Sequence, residues 1–215
     1  MEVKKEAKEE PKKEPEVKTE VKVEAKEEEK KKVEAKKREK KAVKKVEEVP
    51  DMEQLDFRVG KITTISKHPD STKLYVEDID LGKGEIRKIA SGLQEHIPME
   101  QLQGALVVIF YNLKEKKLGG FPSHGMVMCA SPGDDKTFEP LIPPPGSEPG
   151  DVVYAEGMGR KPIPDINLSK KNNPWVKVQP KLTTTPDLTV VYDGKPLKTD
   201  KGVLKVKSLV GARIS

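Results

Sequence analysis

A single cysteine, Cys129, stands among 215 residues. One thiol excludes an internal disulfide and any zinc site built from cysteines. Within "MVMCAS" it reads as a small buried hydrophobe rather than a nucleophile. The three histidines, His68, His96 and His124, are far apart in sequence and offer no pair at metal-ligand spacing. No apolar run reaches the ~20 residues that a membrane span needs. The start of the chain has no apolar stretch of the secretory kind, and its glutamates do not suit a mitochondrial transit peptide, so a cytosolic protein is expected. P-loop glycines, a GxSxG elbow and an HExxH pair are missing too, and no enzyme class is indicated.

The first 50 residues lack Leu, Ile, Phe, Tyr, Trp and Gly. They hold 17 Lys, one Arg and 15 Glu, against 23 basic and 21 acidic residues in the rest. The net charge of +5 is thus shared almost evenly, and a cationic site in the remainder must come from arrangement. Pro11 and Pro15 break any early helix. Beyond them, Glu27–Lys31, Glu28–Lys32 and Glu34–Arg38 are acid-first i,i+4 pairs. With only Ala and Val as regular apolar residues, this arm cannot build a core or a coiled-coil seam. It is expected to be solvated, largely disordered and partly helical. Its stretch "KKREKKAVKK" (36–45) would add salt-dependent attraction to nucleic acid without specifying it.

After Pro50 the pattern changes to short alternating strands. They are expected at residues 55–66, 74–81, 86–91, 105–112, 125–131 and 150–156, with a turn or two of helix at "PMEQLQ". The run "ALVVIFYN" predicts a strand buried on both faces. Closely spaced strands with one small helix suggest a compact barrel, all-β with minor α.

The blocks "LDFRVGKITTISKHPDSTKLYVEDIDLG", "RKIASGL", "VIFYNLKEKKLGG", "SHGMVMCAS" and "PPPGSEPGDVV" resemble the tRNA-binding OB-fold domain of endothelial-monocyte-activating polypeptide and of methionyl- and tyrosyl-tRNA synthetase C-termini. The segments "NLSKKNNPWVKVQPKL" and "VVYDGKPLKTDKGVLKVKSLVGARIS" are similar to the C-terminal extension of its eukaryotic-type members. The resemblance implies three parts: the arm (1–50), a five-stranded OB-fold barrel (51–156) and an extension (157–215). In the family the extension packs on the barrel and imitates a dimer interface, so a monomer is implied. Trp175 is then expected to be a packing anchor rather than a base-stacking platform.

The resemblance also implies a non-catalytic tRNA-binding protein with no cofactor or metal. Such a protein would serve a methionyl- or tyrosyl-tRNA synthetase or a multisynthetase complex by raising local tRNA concentration. Its signature maps onto Asn112, Lys114, Lys117, Ser123, Gly125 and Met126. Asn112 would read a base edge or hold a sugar, Lys114 and Lys117 would contact phosphate with help from Lys116, and Ser123 would offer a small hydroxyl. Met126 would offer a polarizable surface to a base, or be a core residue sharing a face with Met128. Arg87 matches a family arginine, while Lys61, Lys67 and Lys88 are further cations, each also readable as an ordinary solvated residue.

One departure stands out. Relatives often carry Met-Arg-Gly or Leu-Arg-Gly where this chain has Leu118-Gly119-Gly120. A missing guanidinium removes a fork of donors, and Gly119 is expected to loosen the loop. "RVGKITT" (58–64) resembles a heptapeptide linked to cytokine activity in the same family, which opens a signalling or scaffold reading. A detached tail of a longer synthetase is the third reading, and Met1 with the length of the arm favours a free-standing factor.

Overall fold

The alternating run "FRVGKITTISK" forms β1 (Phe57–Lys67), which pairs antiparallel with β2 (Tyr75–Asp80); β2 in turn pairs with β3 (Ile86–Ser91). A register shift between Ile62 and Thr64 marks a bulge in β1, of the kind that bends a strand into a barrel. Gly60 allows β1 and β2 to approach: a Cβ there would lie 2.4 Å from Ile79 Cγ2. The first half of β1 also pairs with β4 (Leu106–Phe110), entered from the four-residue helix α1 (Met99–Leu102). In this computed structural model the described residues are 49–215, except Asp135; the expectations for the charged arm lie outside them.

The expected strands are present, and "ALVVIFYN" behaves as its two-faced burial requires. Val107 and Ile109 enter the core enclosed by β1, β2 and β3, with Ile62, Ile79 and Ile89. Val108 and Phe110 face the opposite way, into a second core with Phe57 and Val59. The same alternation continues through β7 (Met126–Val127) and β8 (Cys129–Ser131): Val127 and Cys129 turn inward, Met128 and Ala130 outward. Cys129 is buried, as expected, and burial pushes its thiol pKa far up.

Left alone, the outward face would be an apolar patch of the size that binds partners. The rest of the chain covers it. β9 (Glu139–Pro140) and β10 (Val152–Ala155) complete the barrel region. Then come α2 (Pro174–Val178), β11 (Leu182–Thr184), β12 (Val190–Tyr192), β13 (Lys195–Thr199), β14 (Gly202–Val203) and β15 (Arg213–Ile214). Trp175, Leu182, Val190, Leu197 and Ile214 all enter the second core. The Asn173 side chain caps α2 by accepting from Val176 N at 3.2 Å, and Pro174 follows it at the first helical position.

No seam separates residues 51–156 from 157–215. β13 pairs with β10, and β15 pairs with β8, so one continuous sheet runs from barrel to extension and back. Val49–Ser215 is one compact unit. Residues on both sides of position 156, among them Phe57 and Phe110 on one side and Trp175 and Leu197 on the other, share one core.

Candidate nucleic-acid interface

The basic loop after β4 is more ordered than its sequence suggests. It contains a hairpin of β5 (Lys116–Leu118) and β6 (Phe121–Ser123), with Leu118 opposite Phe121. The two connecting residues, Gly119 and Gly120, have φ of 57° and 87°. Two positive φ values are what a two-residue type I′ turn demands, and glycine accepts them without strain. Gly119 therefore fits the turn rather than loosening it. A Cβ at this position would lie 2.9 Å from Nε2 of the buried His68, so a larger residue would also have to displace the imidazole.

Beside the hairpin lies an open cavity of about 380 Å³. Leu113, Leu118 and Met126 give it apolar lining, and Lys114 and Lys116 stand at its edge. Lys114, Lys116 and Lys117 are exposed and form no ion pair among the described residues. Met126 packs against the core that holds Met128 and also lines the cavity.

Two signature residues and Arg87 are engaged within the fold. Asn112 Oδ1 accepts from the backbone N of Asp56 at 2.8 Å, while Nδ2 donates to the carbonyls of Gln54 (2.9 Å) and Ile163 (2.6 Å). Both amide donors and the oxygen are engaged within the fold, so Asn112 is a latch between three segments. Ser123 is buried; its Oγ accepts from Ala90 N at 3.0 Å and lies 3.2 Å from the Gly125 carbonyl, tying β6 to β3. Arg87 is held by Glu85 at 2.9 Å and by the Tyr111 carbonyl, with its guanidinium 3.5 Å above the Tyr111 ring. Its side chain is only 14% exposed, which makes it a framework cation rather than a free phosphate contact.

Sequence reasoning missed the other half of that stack. Arg58 covers the opposite face of Tyr111 at 3.6 Å and pairs with the buried Asp56, which also binds Arg160 at 2.8 Å. Desolvation opposes the charge on Arg58, but the bonds to Asp56 outweigh it and its pKa is raised. The remaining cations divide by place. Lys67, at the end of β1, precedes His68 and so lies next to the hairpin turn, whereas Lys61 is six residues, about 20 Å, back along the strand. Lys88 pairs with Asp78 at 3.0 Å. Residues 58–64 are the central strand, with Val59, Gly60 and Ile62 buried. Among the described residues no cluster of His, Cys, Asp and Glu could hold a metal, and no helix is long and apolar enough to cross a membrane.

Replacing Asn112 by Ala is expected to lower stability by about 2 kcal/mol, because it leaves one buried donor and two carbonyls without their partner. Urea unfolding measures this. An unchanged midpoint would mean that the latch is not formed in solution.

The sequence and the fold have known counterparts. The family model "Putative tRNA binding domain" matches residues 57–152, and the chain belongs to that family. It is 39% identical over 165 residues to the Aminoacyl tRNA synthase complex-interacting multifunctional protein 1 of Cricetulus griseus, a match covering 76% of this chain and 45% of that protein. It is 41% identical over 169 residues to the cytoplasmic tyrosine–tRNA ligase of Xenopus laevis, covering 78% of this chain and 32% of the ligase. The chain therefore spans about a third to a half of these longer relatives. The crystal structure of the C-terminal domain of Plasmodium vivax p43 superimposes with a TM-score of 0.72 at 32% identity, covering 78% of this chain and all of that one.

Proposed function

We propose that this chain is a non-catalytic, cytoplasmic tRNA-binding protein that works beside an aminoacyl-tRNA synthetase. The observation that carries this reading is the set of exposed hairpin lysines without an ion pair among the described residues, Lys114 and Lys116 at the edge of an open apolar cavity and Lys117 next to them, in a member of the tRNA-binding family. Phosphates bind the ammonium groups and release counterions, while an unstacked base can lie against Met126 and Leu113. The backbone of the hairpin is fixed before RNA arrives, so little ordering entropy opposes binding.

The partner role follows from valency. A tRNA site associated with a synthetase raises the local tRNA concentration and adds avidity without taking part in chemistry. The relatives' names, a synthetase-complex protein and a tyrosine–tRNA ligase, support that class of partner. Coverage of the outward apolar face by residues 157–215 supports a monomeric folded unit.

The test is a tRNA titration at two salt concentrations. Lys114→Ala/Lys117→Ala is expected to reduce the slope of log K against log salt by roughly 0.7–0.9 for each phosphate contact removed. An unchanged slope, or equal affinity for tRNA and a DNA duplex of the same length near 0.15 M salt, overturns the reading.

A further inference from the structure

The cavity beside the basic hairpin has a second wall, and it comes from the C-terminal extension. Ile166, Asn167, Leu168 and Ser169 line it opposite the signature residues. This wall is bonded to the rim: Lys114 N donates to Ile166 O and Ile166 N to Asn112 O, both at 2.9 Å, forming a parallel bridge between Leu113 and Ile166. Its far end is held as well. Asn173, buried at the start of α2, donates from Nδ2 to the carbonyl of Lys170 at 2.6 Å. The Asn112 latch reaches the same segment through Ile163.

Two lysines, Lys170 and Lys171, follow the wall directly and are exposed. Among the described residues neither forms an ion pair, as is also true of Lys114, Lys116 and Lys117. Several later lysines of the extension differ: Lys177 pairs with Asp51, Lys181 with Asp193, Lys198 with Glu156, and Lys201 with Glu148 and Asp151. Two carboxylates, Glu115 at the cavity edge and Asp165 before the wall, temper the charge, but five uncompensated lysines exceed them. An apolar floor with lysines on one edge, and two more lysines following the opposite wall in the chain, complements a polyanion that carries flat apolar groups, which describes a single-stranded stretch of RNA.

We infer that residues 166–171 are the second wall of the RNA groove, with Lys170 and Lys171 contacting the phosphates of a strand whose unstacked base enters the cavity. This rests on the tRNA-binding reading above and extends it from the barrel to the extension. The extension then has two tasks, covering the outward apolar face and completing the groove. Because the wall is bonded to the rim through the backbone, both edges approach RNA as one rigid surface.

The experiment compares Lys170→Ala/Lys171→Ala with Lys114→Ala/Lys117→Ala and the unaltered chain, each titrated with tRNA at two salt concentrations. All four side chains are exposed, so the variants are expected to fold. The 170/171 pair should weaken binding severalfold and lower the salt slope by about 1.4, two single-strand contacts. Lys170→Arg/Lys171→Arg should restore the slope, because it restores the charge. If only the 114/117 pair lowers the slope, the second wall is wrong and the rim stands. If neither pair does, the tRNA-binding reading fails and takes this inference with it.

Discussion

Trp175→Ala is expected to lower the free energy of unfolding by about 4 kcal/mol, the range for removing a large aromatic from a core. The ring is 7% exposed and stacks on both aromatic residues that the barrel turns outward. Its centroid lies 5.2 Å from that of Phe110 and 6.3 Å from that of Phe57, which are themselves 4.9 Å apart. Tilted and edge-on pairs of this kind add to simple area burial. Phe57 is in β1, Phe110 in β4 and Trp175 in α2, so the triad joins barrel to extension. Truncation should destabilise the whole unit, and thermal or urea unfolding should remain one transition. A loss below about 1 kcal/mol would show that the ring is not an integral part of this core. Two separated transitions would show that barrel and extension unfold independently.

The second large effect concerns a carboxyl group inside the barrel. Glu77 is 1% exposed; Ser91 Oγ donates to its Oε1 at 2.6 Å, and Oε2 meets no partner among the described residues. Burial pushes its pKa from the usual 4.5 up to about 7, against the smaller lowering effect of the Ser91 bond. The folded state thus keeps a proton between pH 4.5 and 7 that the unfolded chain releases. Stability contributed by this group falls as pH rises through that window and is level above it, by about 3 kcal/mol in total. Glu139 and Asp151 shift the other way, lowered by hydrogen bonds to backbone or Lys201, and their contribution is lost only as pH falls below their unfolded values. Glu77→Gln should therefore match the unaltered protein near pH 4.5 and exceed its stability by up to about 3 kcal/mol at pH 8. Denaturant unfolding at the two pH values reads this directly. A constant difference across the range would place a charged, solvated carboxylate at this position.

Much of the barrel was legible because its signals are local. β3 runs over residues 86–91 as expected, and the turns in "HPDSTK" and "GKGE" separate the first three strands. "ALVVIFYN" revealed a strand with two apolar faces because period-two alternation divides Val107 and Ile109 from Val108 and Phe110. The hairpin inside the basic loop was not seen. Its strands have three residues each, one contains Pro122, and a glycine pair is equally at home in a loose loop and in a type I′ turn.

By itself, the sequence determined the family, the places of the barrel strands along the chain, the core position of Trp175 and Cys129, and the cationic character of the rim. Each of these depends on residue type at short spacing, or on blocks in a fixed order. Only the tertiary structure decided which polar side chains are free. The partners of Asn112 lie 51 to 58 residues away, and those of Arg87 beyond Glu85 lie 24 and 37 away, so no local pattern announces that these groups are already satisfied. The same reason hid Lys170 and Lys171. The wall they follow is joined to the rim by a backbone bridge between residues 113 and 166, and hydrogen bonds formed across such a span leave no periodicity in the chain.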